Sequence, residues 1–329
     1  NGGKINIVDD SKSTGYSAIY ATCGKINMNV TKDESGKVTG AGTNDVDITG
    51  NVVASVGAVN YVDSGLETEV NLGLTTGKSQ LTGVVYNEFP EGGKTVSQRG
   101  DSKTFTGAVN LWLQNGATWT NEQQGTLPSV WGGEEFNGSK VTKFTGGSST
   151  ETAGNIYQKD SHDLTLDNYS GVTNIFYEHA GDGVTYNAGD TIIKHAEAGS
   201  VVNMVTSRKG VTDIGAALNA LAQKLTYLNY ATVNGSERNL IGYVKLAGGL
   251  TSDSVVTVAG NILFSEETGK GSSVDKVEFA EEPEEVTAIP LTEYYNNIVI
   301  LRGISKFFAA PGLRLGYAIC GNRDLLNEI

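Results

Sequence analysis

Only two cysteines occur in 329 residues, Cys23 and Cys320, so the chain has neither a disulfide framework nor a CxxC metal knuckle. No unbroken apolar stretch approaches the roughly 18 residues of a membrane span. Charged residues make up only 19% of the chain, and five prolines stand against 43 glycines without a collagen period. A charge-rich disordered tail and a collagen repeat are therefore excluded. Cationic excess is also missing: the net charge of −13 would repel a phosphate backbone, which argues against a nucleic-acid partner. What is present is a soluble composition with 38% hydrophobic residues, rich in Gly, Thr, Asn and Val, and long enough for about two domains. Asn1 follows no basic-then-apolar leader, and Leu325 to Ile329 read as the start of a helix, so the chain is expected to be a fragment at both ends.

Composition changes sharply along the chain. Only Gly303, Gly312, Gly316 and Gly321 lie after position 273, whereas Pro283, Pro290 and Pro311 all do. This places a boundary near Ser273 to Val277, between a segment 1–273 and a segment 274–329. In the first, alternating runs predict short strands at Lys25–Val30, Val46–Ile48, Glu69–Leu72, Val109–Leu113, Leu164–Leu166 and Asn174–Tyr177. Turns such as Asn115-Gly116, Gly146-Gly147 and Gly181-Asp182-Gly183 are spaced irregularly, which favours coils over two-residue hairpins. A mainly β solenoid with rungs of roughly 20 residues follows, with an antiparallel sandwich as its competitor. One segment departs from the pattern. Ile214, Leu218, Leu221, Leu225 and Leu228 keep helical spacing behind Thr212 as cap, predicting an amphipathic helix over 212–228 of about four turns that packs against the solenoid.

The run Gly107-Ala-Val-Asn-Leu-Trp-Leu-Gln-Asn-Gly-Ala-Thr-Trp119, with Lys140 to Gly147 and Leu164 to Gly171, resembles the passenger region of bacterial type V autotransporters. The resemblance implies a right-handed parallel β-helix exported to the cell surface. It implies an adhesin-like role with a host or matrix ligand, carbohydrate or protein. The residues themselves offer little chemistry. His162, His179 and His195 are spaced near one rung, which would let them stack in a column and meet a metal, but solvated loop histidines are the plainer reading. Trp112 and Trp119 would suit a sugar platform, although strand alternation sends at least one of them to the core or rung edge. The acidic runs Thr31 to Ser35 and Gly132 to Glu135 lack calcium-loop spacing. No GxSxG, HExxH or defensible Ser/His/Asp order occurs.

The sharpest motif lies in the short last part. Ile298 to Leu301 reads as a strand, and it leads into Arg302-Gly-Ile-Ser-Lys-Phe-Phe-Ala-Ala-Pro-Gly-Leu-Arg-Leu-Gly-Tyr317. A lysine on a loop after a strand suits an imine, and an arginine eight residues later suits bidentate pairing with a phosphate. This stretch resembles fold-type I pyridoxal-phosphate (PLP) enzymes of the class I/II aminotransferase family, in the histidinol-phosphate aminotransferase and threonine-phosphate decarboxylase branch. The resemblance implies a short α/β fragment of that family's large domain and PLP as cofactor. It makes Lys306 the Schiff-base lysine, Arg314 the phosphate partner and Ser305 an orienting neighbour, with Gly312 and Gly316 permitting a tight backbone path. Gly303 stands where many relatives place a phosphate-contacting Ser or Thr. The family's acid for the pyridine nitrogen and its tyrosine would fall at Ser273 and Lys276, and Asp275 is out of register.

Two readings of the function therefore compete, the first expected and the second its alternative. The first is a non-catalytic, surface-exposed passenger-like solenoid joined, as a chimera, to an incomplete aminotransferase segment whose parent would be cytoplasmic. The second is a PLP-dependent aminotransferase or decarboxylase acting on a phosphorylated amino-acid substrate. The tail's apolar run is expected to lack partner strands of its own and to be poorly packed.

Overall fold

The computed structural model describes residues 3–6, 17–57, 67–125, 127, 133–231, 239–248, 256–275, 299–303 and 316–320. They fall into two compact units, Asn1–Glu278 and Phe279–Ile329. The described part is mainly β with long parallel sheets.

In the first unit the chain returns again and again to the same sheets. One sheet takes, in parallel order, Gly3–Asn6, Val46–Thr49, Gln80–Thr82, Thr118–Asn121, Gly154–Gln158, Val172–Tyr177, Ser200–Ser207 and Leu240–Ala247. A second, wholly parallel sheet takes Lys25–Met28, Thr68–Leu74, Gly107–Leu113, Gly138–Thr145, Asp163–Ser170, Thr191–Ala196 and Leu225–Tyr227. A three-stranded parallel sheet, Ser17–Thr22, Asn51–Ser55 and Val85–Asn87, is visited between them in the early circuits. Alternation decides what each strand buries. In Gly107–Leu113, Val109, Leu111 and Leu113 point into the core while Asn110 and Trp112 do not.

Register then stacks like on like. Ile48, Leu81, Trp119, Ile156, Ile175, Met204 and Val244 occupy successive paired positions of the first sheet, all fully buried. In the second sheet Met28, Leu72, Leu111, Phe144 and Tyr169 stack likewise, the last four buried and Met28 partly so, and the Phe144 and Tyr169 rings stack at 5.7 Å. These columns belong to one continuous apolar core. Polar rows stack too. Asn110 Nδ2 donates to Asn71 Oδ1 (2.8 Å) and Asn71 Nδ2 to Asn27 Oδ1 (2.9 Å). Asn203, Asn174 and Asn155 repeat the arrangement on the other sheet at 2.8 and 3.0 Å. Within each row an amide supplies the acceptor that the next one needs.

The circuits are not the regular 20-residue rungs expected. Stacked asparagines lie 19 residues apart at Asn155 and Asn174, yet 44 apart at Asn27 and Asn71. Insertions account for much of the spread. Val30–Lys32 and Val38–Ala41 form an antiparallel pair, and so do Lys94–Gln98 and Asp101–Phe105. The second pair closes on Arg99-Gly100, with φ of 54° and 91°, a two-residue hairpin loop of the kind the sequence was expected to avoid. Val256–Phe264 and Gly271–Asp275 add in antiparallel sense at one side of the first sheet.

The helix is shorter than the leucine spacing predicts. It spans Ile214–Ala222, and its cap is Asp213, whose side chain accepts from the Ala216 amide at 3.0 Å. Thr212 instead donates its hydroxyl to the Asp182 carbonyl. Leu218 and Leu221 enter the core, but Leu225 begins a parallel strand against Thr191, and Leu228 is 48% exposed. Ladder bonds capture the chain here: the Thr191 amide donates to the Lys224 carbonyl at 2.7 Å, and Lys224 Nζ reaches the Ala188 carbonyl at 2.7 Å.

Between Asp163–Ser170 and Val172–Tyr177 the chain crosses from one sheet to the other at the single residue Gly171. Its φ is 82°, and a β-carbon there would stand 2.6 Å from the Gly147 carbonyl oxygen. Gly171→Ala is expected to lower unfolding stability by about 2 kcal/mol or more, adding left-handed strain to overlap. Gly24→Ala, where open space surrounds the site, is the near-neutral control in the same urea titration. Equal midpoints for the two variants would contradict the corner assignment.

Candidate functional site

In the second unit Val299–Gly303 and Gly316–Cys320 form an antiparallel pair, with Arg302 opposite Tyr317 and Gly303 opposite Gly316. The expectation of an unpartnered apolar run is thereby corrected for Val299 to Leu301. The run finds its ladder in the strand that follows the motif, because the two are close in sequence and both apolar. This pairing brings together the two ends of the segment 304–315. Directly opposed residues in such a ladder have Cα atoms about 4.5–5.5 Å apart, which is the separation of Gly303 and Gly316. Ser305, Lys306, Gly312 and Arg314 lie within 304–315, outside the described residues. Ser273 and Asp275 sit on the strand Gly271–Asp275, opposite Leu263 and Asn261. Lys276 lies outside the described residues.

The three histidines are not brought together. His162 lies just before the strand Asp163–Ser170, His179 bonds the Ala180 and Lys209 carbonyls, and His195 lies opposite Asn168 and contacts Asn229. They enter the structure at different points of different circuits, so the spacing near one rung does not become a column. Among the described residues no group of three or more His, Cys, Asp or Glu is placed to hold a metal ion. Trp119 is fully buried and donates Nε1–H to the Gly83 carbonyl at 2.8 Å, which removes it as a sugar platform. Asp33 turns its own loop. Its Oδ1 accepts from the Ser35 hydroxyl (2.6 Å), the Lys37 amide (2.9 Å) and the Ser35 amide (3.0 Å), and these bonds, the hydroxyl's first, hold its pKa below the ordinary carboxylate value.

Three features of the first unit went unread in the sequence. Asp160 Oδ1 accepts from both the backbone amide and Nδ1 of His162, at 2.8 and 2.7 Å, and its Oδ2 accepts from the Gln123 amide. The His162 ring meets the Phe136 edge at 5.3 Å and its side chain is half exposed. The Asp-Ser-His spacing is the local signal that pointed there. A groove of about 470 Å³ runs beside Phe89, Thr142, Asn168 and His195, and Lys194 crosses it to Asp167 (3.1 Å) and Glu91 (3.6 Å). The third feature is Glu88, 2% exposed, whose Oε2 accepts from the Val56 amide at 3.2 Å. It stands beside Ser55, which is itself bonded to the Tyr20 hydroxyl at 2.6 Å.

Comparison with known proteins finds matches that each cover part of the chain. Residues 274–329 match the family model for aminotransferase class I and II. A histidinol-phosphate aminotransferase 2 of Archaeoglobus fulgidus is 43% identical over 44 residues, 13% of this chain and 12% of that protein. A protein of Caldanaerobacter subterraneus subsp. tengcongensis named as a threonine-phosphate decarboxylase is 34% identical over 53 residues, 16% and 14% of the two chains. A histidinol-phosphate aminotransferase 2 of Haemophilus influenzae is 25% identical over 132 residues, 40% of this chain and 33% of that protein. The chain thus spans a third or less of the length of each of these relatives. No solved structure matches it. Among the described residues no helix is long and apolar enough to cross a membrane.

Burial raises the Glu88 pKa above its ordinary value of 4.5, against the opposing pull of the Ser55 hydroxyl and the Val56 amide. The folded state therefore holds the Glu88 proton more tightly than the unfolded state. This stabilisation is full below pH 4.5 and is lost as pH rises towards the higher folded value. Glu88→Gln keeps a carbonyl oxygen for the Val56 amide but does not titrate, so the parent should lose stability relative to this variant as pH rises above 4.5. Urea midpoints measured for both proteins across that range check this, and parallel profiles would contradict it.

Proposed function

We propose that residues 274–329 are the cofactor-anchoring segment of a class I/II aminotransferase-like protein, with Lys306, Arg314 and Ser305 as its functional side chains. The observation that carries this reading is the family match over those residues. The pairing of Val299–Gly303 with Gly316–Cys320, the strands that flank 304–315 in sequence, is consistent with this reading. The donor set suits two ends of PLP: Lys306 offers an amine for the aldehyde carbon, and Arg314 a planar guanidinium for the phosphate. Ser305 orients the lysine. No residue in the matching register offers a carboxylate for the ring nitrogen, since Ser273 stands there. When bound, PLP supplies an electron sink that lets bonds at an amino acid's α-carbon break. The names of the relatives support an amino-acid substrate bearing a phosphate, processed by transamination or decarboxylation.

A second reading covers the first unit. We infer that its returning parallel strands are a β-solenoid, right-handed by the general preference of parallel crossovers. It would act as a scaffold that binds along its outward faces and does no catalysis. The in-register columns from Ile48 to Val244 support it. The exported, adhesin-like version rests on the Gly107 to Trp119 rung alone. The named relatives favour the aminotransferase reading instead.

The test is labelling of the full chain with PLP followed by borohydride and peptide mapping. A saturable pyridoxyl adduct is expected on Lys306 and absent in Lys306→Ala. Arg314→Ala should weaken retention by about 10- to 100-fold, the value of a lost charged hydrogen bond. A label spread evenly over surface lysines would overturn the reading.

A further inference from the structure

The inserted hairpin Lys94–Gln98 and Asp101–Phe105 forms a two-stranded sheet of its own. Its base is fixed. Phe105 is buried and joins Val56 and Phe89 in a small apolar cluster, on which Val96 packs. Hydroxyl pairs then tie the strands together, Thr95 to Thr104 at 2.9 Å and Ser97 to Ser102 at 3.0 Å. Arg99, Gly100, Asp101 and Ser102 at the tip are all exposed, and a β-carbon at Gly100 would meet nothing within 4 Å. Strands of this length set the tip roughly 17 Å from their first residues.

The tip reads Arg99-Gly100-Asp101. A tripeptide alone is a weak signal, and its placement carries the argument. Both central residues of the turn are left-handed, Arg99 at φ 54° and Gly100 at φ 91°. That geometry suits Asn-Gly, and an arginine in it is strained. Three other described non-glycine residues have positive φ, and each finds compensation inside the fold. Asn29 and Asn115 donate their side-chain amides to the Gly73 and Thr75 carbonyls at 2.9 and 3.0 Å. Cys23 donates its backbone amide to Thr68 Oγ1 at 3.0 Å and packs on the Val56 cluster. Among the described residues neither Arg99 nor Asp101 has an ion pair or a side-chain hydrogen bond. Strain that returns nothing inside the fold points to a use outside it.

We propose that this tip docks an adhesion receptor that reads a guanidinium and a carboxylate on either side of one glycine. Arg99 offers paired N–H donors to an acidic pocket of the receptor. Asp101 offers an oxygen ligand to a divalent cation that the receptor holds. Gly100 leaves the space between the two charges free of a side chain, and the anchored hairpin holds them ready, which lowers the entropy lost on binding. The proposal rests on the second reading, for which it names a partner, and is independent of Lys306.

Binding of the full chain to an immobilised integrin ectodomain that takes Arg-Gly-Asp peptides, with manganese present, tests this. Saturable binding is expected, abolished by EDTA and by excess Arg-Gly-Asp-Ser peptide but not by Arg-Gly-Glu-Ser. Asp101→Glu keeps the charge but moves the carboxylate out by one methylene, and should weaken binding about 10- to 100-fold, the value of a lost charged hydrogen bond. Arg99→Asn should weaken it as much while raising the urea midpoint, since asparagine suits the turn better. No saturable binding, or binding that both variants leave within about twofold of the parent, would overturn the proposal. In the second case the receptor sits on another outward face and the scaffold reading stands. In the first, slow amide exchange along the column from Ile48 to Val244 would show that the solenoid is intact and that the docking proposal alone has failed.

Discussion

Parallel pairing of each strand with its counterpart one circuit later is the constraint on which the first unit depends. Parallel strands cannot be joined by a tight turn, so the chain must travel around before it can pair again. Once it does, register decides everything across the ladder. A one-residue slip would send Ile156 and Ile175 to the outer face and Asn155 and Asn174 into the core. Like residues therefore stack, as in the asparagine rows and the Phe144–Tyr169 pair, because each position sees nearly the same environment in successive circuits. The composition follows from the same demand. Proline cannot donate to a ladder, and the chain has only five. Glycine serves the corners, with Gly171 turning the chain between sheets in one residue.

Pairing fixes the ladders but leaves the connections free. The hairpins at Val30–Ala41 and Lys94–Phe105 and the helix Ile214–Ala222 are all inserted between paired strands without disturbing register on either side. Buried polar groups are distributed by the same logic. Where a lysine is partly covered beside a connection, a carboxylate can be brought to it, as Asp190 is brought to Lys224. Lys245 lies within a strand flanked by apolar neighbours, and among the described residues no carboxylate pairs with it. The second unit repeats the principle in miniature, since a short ladder closes the ends of the lysine-bearing segment.

Much of this was legible from the amino acids. The alternation in Val109 to Leu113 and Asn174 to Tyr177 marks strands that the structure contains, because a half-buried strand must alternate. The likeness of the last part to aminotransferases was legible for a different reason: the run from Arg302 to Tyr317 resembles that family, and the family match covers residues 274–329. What could not be read was long-range competition. Leu225 has perfect helical spacing, yet ladder bonds to Thr191 outweigh one more turn of helix. The three histidines look periodic only if circuits are equal in length, and they are not. Trp119 looks like a platform until its indole is seen bonded to Gly83 inside the core. The burial of Glu88 and Lys245 depends on strands far away in sequence, so no local pattern announces either.

Amide hydrogen exchange in the native chain tests the ladder account most directly. Leu81, Trp119, Ile156, Ile175 and Met204 lie in one column of one parallel sheet. If in-register pairing holds the unit together, their amides should exchange slowly and with closely similar protection, opening only when the column opens as a whole. Protection that falls by orders of magnitude between neighbouring members, such as Ile156 and Ile175, would contradict a continuous ladder.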